Sequence, residues 1–195
     1  MKKIVIIGTS NDVISKKRGD FINSFFDEIV ICNRSILHLD SHKDYLGCPT
    51  IWGNCGWSNE NKDVVFDPNA NQLNLVETAL SNSTVNRIWM NSEIHNLNYK
   101  IPDNMKVEII CKTKYKNLNY HSLGLQSILY SILLGYEVYY FGIDSYRKSH
   151  HYYEEYMPKN AFVKLHTQSN YIKENQIIQE LIMHKKLIHI DKIFN

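Results

Sequence analysis

The sequence predicts an α/β fold: one Rossmann-like domain over residues 1–195, with a mostly parallel sheet covered by helices on both faces. Three observations carry this expectation. Apolar strand-like runs alternate with helical patterns along the whole chain. Several of those runs are continuously apolar, as strands buried on both faces must be. The first of them, Ile4–Ile7, stops at Gly8 and passes through "GTSND" into an amphipathic stretch, which reads as strand, tight turn and helix.

The remaining elements follow in order. Strand-like runs occupy Glu28–Asn33, Pro49–Asn54, Asp63–Phe66, Asn86–Met90, Lys106–Cys111 and Glu137–Asp144, and a short last one is "LIHI". Between them, "NQLNLVETALSN" places Leu73, Val76, Ala79 and Leu80 on one helical face. "SLGLQSILYSILLG" opens on a Ser/Gly turn and stops at Gly135. "NYIKENQIIQELIMHKK" carries Ile172, Ile177, Ile178, Leu181 and Ile182, with lysines in its last turn.

Composition narrows the function classes. A chain of 195 residues with 44% hydrophobic and 22% charged residues can bury a real core and is ordinary for a soluble domain. A net charge of +2 is too small to point to nucleic acid, whereas nine histidines leave room for local positive charge around a small anion. The four cysteines lack C-x-x-C spacing, and Cys32 and Cys111 close apolar runs as buried thiols, so a reducing, cytoplasmic setting is expected. "MKKIVIIGTS" has four consecutive apolar residues, too few for a signal peptide or a membrane span. Peripheral contact with a membrane stays open. His38 and His42 with Asp40 and Asp44 have ligand chemistry but no further ligand cluster, so no metal site is expected.

In doubly wound sheets ligands sit beyond the carboxyl ends of the strands, so chemistry is sought there. After the first strand come Gly8, Thr9, Ser10 and Asn11, whose backbone N–H groups at a helix start suit an anion or a nucleotide. The next two strands end on Asn33 and Asn54, which offer both donors and acceptors to sugar or phosphate oxygens and are equally common turn residues. Ser122, Leu123 and Gly124 open a strongly apolar helix, where free N–H groups attract phosphate or carboxylate. The strand through "EVYYFGID" ends on Asp144, placed for ribose hydroxyls, and Tyr146, His150, His151, Tyr152 and Tyr153 follow. Tyrosine hydroxyls with a protonated imidazole would stabilise a phosphate leaving group. His166 precedes the last long helix, a position that favours the neutral, base-competent form. Trp52 reads as core.

These signals fall in a familiar order. "KIVIIGTSN…DEIVICNRS…KDYLGCPTIWGN" resembles the large motif of the sialyltransferase family, and "HSLGLQSILYSILLGYEVYYFGI" resembles its small motif. "HYYE" at His151–Glu154 resembles the third motif, and His166 stands where the very small motif has its histidine. "GIDSY" is similar to single-domain bacterial CMP-sialic acid transferases. Five residues after His166, where the very small motif has a glutamate, this chain has Tyr171, and its glutamate comes at Glu174.

The resemblance implies a sialyltransferase-type variant of the GT-A fold, a CMP-sugar donor, and an inverting, metal-independent transfer to a glycan or glycolipid acceptor. It implies His166 as the general base and His151, helped by Tyr146 and Tyr152, as the group that stabilises the leaving phosphate. Asn11, Asn33 and Asn54 would face phosphate and sugar, Asp144 the ribose, and Ser122, Leu123 and Gly124 the donor. Two other readings compete: a transferase using CMP-Kdo or a related CMP-ulosonic acid, and a non-catalytic nucleotide- or glycan-binding module of the same fold.

Overall fold

The structure, a computed structural model, describes residues 1–10, 12–32, 35–36, 39–54, 71–90, 101–110, 122–143 and 168–194. Its elements run β1 (Lys3–Ile7), α1 (Asp12–Lys16), α2 (Gly19–Phe25), β2 (Glu28–Cys32), α3 (Leu39–Leu46), β3 (Ile51–Asn54), α4 (Asn71–Asn82), β4 (Arg87–Met90) and β5 (Lys106–Ile109). Then come α5 (Leu123–Leu133), β6 (Glu137–Phe141), α6 (Gln168–Met183), β7 (Ile188–His189) and a 3-10 helix at Ile190–Ile193.

Among the described residues the strands form one seven-stranded sheet in the order β5-β4-β3-β2-β1-β6-β7, with every neighbouring pair parallel. The chain winds outward from β1 to β5, then returns to place β6 on the other side of β1. That reversal makes the β1/β6 boundary the topological switch point of the sheet.

The α/β expectation is met, and the alternation of side chains shows why. Val5 and Ile7 of β1, Ile29 and Ile31 of β2, Ile88 and Met90 of β4, and Tyr139 and Phe141 of β6 face one core. Val13, Ile22, Leu46, Val76 and Leu80 from α1–α4 close that core. Ile4, Ile6, Val30, Ile51, Trp89, Val138 and Tyr140 face the other, closed by Leu123, Leu125 and Ile128 of α5 and Ile178 of α6. Since both faces are covered, successive residues of a strand are all apolar, which is the continuous pattern in the sequence. Trp52 is fully buried in the first core, as expected, and Cys32 is buried in the second.

Several boundaries differ from expectation. The strands expected to reach Cys111 and Asp144 end at Ile109 and Phe141. "LIHI" pairs with β6 only through Ile188 and His189 before the chain tightens into the 3-10 helix. The last long helix stops at Met183, short of the lysines, and Lys185 adopts a φ of 54° in the turn that follows. Leu39–Leu46, weighed above only as a possible metal motif, is a helix kinked at His42, whose ring lies 5.6 Å from that of Tyr45. The run Asp63–Phe66 lies outside the described residues.

The 3-10 helix is clamped onto α1 and α2. Asp191 accepts hydrogen bonds from Lys16 Nζ at 2.7 Å and from Arg18, and the Phe194 ring packs against Phe21 with centres 4.5 Å apart and planes tilted by 55°. His189 caps this helix, its Nδ1 accepting the Asp191 N–H at 3.2 Å.

Candidate functional site

The carboxyl ends of β1 and β6 are locked together by backbone. Gly8 N–H donates to Phe141 O at 2.7 Å, and Ser10 N–H donates to Gly142 O at 3.1 Å, so the ladder continues past both strands. A Cβ on Gly8 would fall 2.2 Å from Gly142 O, so no other residue fits there without moving the backbone. Gly142 has a φ of +67° and lies against Val13, which lets β6 turn away at its end. The small residues after the first strand thus have a packing role in the sheet itself.

Ser10 is 4% exposed, and among the described residues its Oγ is a buried hydroxyl with no hydrogen-bond partner. Ser35, three residues past the end of β2, is fully buried and its Oγ is likewise unpaired. Leaving a hydroxyl buried and unbonded costs about 1–3 kcal/mol, and here two such groups lie beyond the carboxyl ends of adjacent strands. Native structures keep few such groups, and those they keep call for a bonding partner or a function. The sequence singled out Ser10 but not Ser35, because nothing short of the fold shows that the residue after "CNR" is buried.

On the other face, α5 aims its amino end at the same edge. Ser122 caps it, its Oγ accepting the Leu125 N–H at 3.3 Å. The Ser122 N–H is itself taken by the carboxylate of Glu174, a residue of α6 that is 3% exposed. A protein carboxylate therefore already occupies part of the anion-attracting helix end, which leaves the N–H groups of Leu123 and Gly124 without a partner among the described residues. Gly124 is also needed for packing, since a Cβ there would lie 3.1 Å from Ile143 Cδ1. Gly53 of β3 approaches Leu123 in the same way, at 3.2 Å. The role of Glu174 was not legible in the sequence, where it figured only as a displaced motif residue.

Of the residues the sequence nominates, the structure brings Gly8, Thr9, Ser10, Ser122, Leu123 and Gly124 to the carboxyl edge, together with the backbone of Asn54 at the end of β3. Asn11, Asn33, Asp144, Tyr146, His151, Tyr152 and His166 lie outside the described residues. Three of these, Asn11, Asn33 and Asp144, directly follow described segments that end at this edge.

Two charged clusters are tied into the framework. At the amino-terminal edge, Arg87 pairs with Glu28 at 2.6 Å, and Thr50 Oγ1 donates to the same carboxylate at 2.7 Å. Burial opposes the charge on Arg87, but hydrogen bonds to Tyr136 and Glu28 outweigh it and raise its pKa. Burial lowers the pKa of His189, with Lys16 and Arg18 adding to the effect against the pull of Asp191. No group of three or more potential metal ligands occurs among the described residues. No described helix is long and apolar enough to cross a membrane.

No protein-family model matches the chain, and no curated protein matches it. Solved structures do. A mammalian sialyltransferase crystallised in complex with Gal-β-1-3GalNAc-ortho-nitrophenol superposes with a TM-score of 0.59 at 17% identity, over 97% of this chain and 69% of that one. A second crystal structure of a mammalian sialyltransferase gives 0.58 at 17% identity, over 97% and 68%. The class is therefore an α/β fold of the sialyltransferase kind, and at this identity the likeness is one of fold.

Proposed function

We propose that this chain is a glycosyltransferase of the sialyltransferase type. It would move sialic acid from CMP-sialic acid to a hydroxyl of a glycan or glycolipid. One observation supports this reading above the rest. In a fold shared with sialyltransferases, two buried hydroxyls, Ser10 and Ser35, stand without partners among the described residues at the carboxyl edge, where such sheets hold nucleotides. Ser10, Ser35 and the N–H groups of Leu123 and Gly124 would bind the donor, joined by Gly8, Thr9, Asn11, Asn33 and Asn54 around phosphate and sugar and by Asp144 at the ribose.

In this mechanism His166 takes the proton of the acceptor hydroxyl as its oxygen attacks the anomeric carbon. The bond to the CMP phosphate oxygen breaks with inversion, and His151, Tyr146 and Tyr152 carry the charge that develops on that phosphate. Imidazole and phenol groups do the work, and no metal or other cofactor is assigned. The free Cys48 thiol is exposed, which fits a reducing, cytoplasmic setting.

The test is CMP release from CMP-sialic acid and, in parallel, from CMP-Kdo, with chelator present and a glycan acceptor supplied. Release with CMP-sialic acid that falls at least a thousandfold in His166→Ala supports the reading. Full activity in that variant removes His166 as the base, and preference for CMP-Kdo reassigns the donor. Binding of CMP without turnover on any acceptor makes the chain a binding module.

A further inference from the structure

We infer that the amino-terminal edge of the sheet, opposite the candidate site, is a docking surface for a bilayer containing anionic phospholipid. Both helices of one layer end there: α5 runs out at Leu133 and Leu134, and α6 at Met183 and His184. Large apolar side chains project from these ends, with Leu133 60%, Leu134 46% and Met183 73% exposed, and Met1 beside them is 87% exposed. One exposed apolar side chain is ordinary, but several gathered at one edge mark an interaction surface.

Cations surround them. Lys2, Lys185 and Lys186 are exposed, and none has a carboxylate partner among the described residues. Lys185 and Lys186 line a cavity of about 170 Å3, floored by Ile132, Tyr136, Val138 and Ile188. One carboxylate shares that lining, Glu137, and it is engaged by the Tyr139 hydroxyl at 2.5 Å. Glu180 stands one turn back on α6.

Charge complementarity decides among occupants. Two copies of a surface carrying Lys2, Lys185 and Lys186 repel each other, so a self-dimer through this face is disfavoured. Protruding apolar side chains ringed by lysines match an interface of acyl chains beneath acidic headgroups, where insertion and charge each add to binding. The five-residue strands rise roughly 17 Å, so a membrane at this edge leaves the carboxyl edge facing away from it.

Co-sedimentation with vesicles tests this without any sugar donor, so its failure is separate from that of the proposed reaction. Vesicles of phosphatidylcholine with phosphatidylglycerol should bind the full chain, more weakly as salt rises, and pure phosphatidylcholine far less. K185A/K186A should bind roughly 25-fold more weakly, at about 1 kcal/mol per lysine. L133S/M183S should also lose binding, with both variants keeping the parent's thermal midpoint. No binding to anionic vesicles, or equal binding by K185A/K186A, overturns the inference. Binding to soluble polyglutamate but not to vesicles also overturns it and assigns the surface to an acidic protein.

Discussion

Glu28, Thr50 and Arg87 at the amino-terminal edge of β2–β4 are bonded to one another, whereas Ser10 and Ser35 at the carboxyl edge keep buried hydroxyls with no partner among the described residues. Both edges belong to the same sheet and are built from the same apolar strands. The difference is that Glu28, Thr50 and Arg87 hold strands in register, whereas the Ser10 and Ser35 hydroxyls are left over at an edge where Ser122 and Glu174 are already bonded to each other. Ser127 in the body of α5 is also buried and unpaired among the described residues, so it is the place of Ser10 and Ser35 beyond the strand ends that points to a ligand.

The contrast can be broken most severely at Gly8. Gly8→Ala puts a methyl 2.2 Å from Gly142 O, a backbone atom that cannot swing aside, and should cost about 3 kcal/mol or more in urea unfolding. Retained stability would mean that the β1/β6 junction is looser than its hydrogen bonds imply. Next is Glu28→Ala, which strips the half-buried Arg87 and Thr50 of their shared carboxylate and should cost about 2 kcal/mol. A loss under about 0.5 kcal/mol would make that edge an ordinary exposed pair.

A smaller effect follows from His189. Its pKa is lowered in the fold, so the unfolded chain binds the proton more readily and stability rises with pH across that interval. The contribution is present above the unfolded value of about 6.5 and is lost as the pH falls through the folded one. His189→Asn should flatten the pH dependence of the thermal midpoint between pH 7 and pH 5, and an unchanged slope would assign the effect to another group. The smallest change in stability is expected from Ser10→Ala and Ser35→Ala, within about 0.5 kcal/mol of the parent or slightly above it, since each removes an unsatisfied group. The same variants should bind CMP about tenfold more weakly by calorimetry. Large destabilisation with unchanged CMP affinity would make the hydroxyls part of the framework after all.

Much of the sheet was legible because burial on two faces leaves a period-free apolar run, and Ile4–Ile7, Ile29–Cys32 and Val138–Phe141 are such runs. The helix Leu39–Leu46 was not, since few apolar residues mark it and Leu46 alone is fully buried in the core. Strand ends were overshot at Cys111 and Asp144 because burial and bonding trail off past the last paired residue: Ile110 is buried and its N–H still donates to Met90 O at 2.7 Å although the strand has ended at Ile109. At the site, Gly8 and Ser122 were visible through turn and cap chemistry. Ser35 and Glu174 were not, because a buried serine or glutamate looks in sequence like an exposed one. What distinguishes them is a neighbour far along the chain, as Glu174 is for Ser122.

The position of β1 in the middle of the sheet has a consequence for the chain as it is made. Ile7 pairs with Ile31 on one side and with Phe141, 134 positions later, on the other. At roughly 5–20 residues per second, translation leaves that second edge of β1 without its partner for roughly 7–27 s. A ribosome-bound amino-terminal half therefore carries an open strand edge, apolar from Ile4 to Ile7, until β6 emerges.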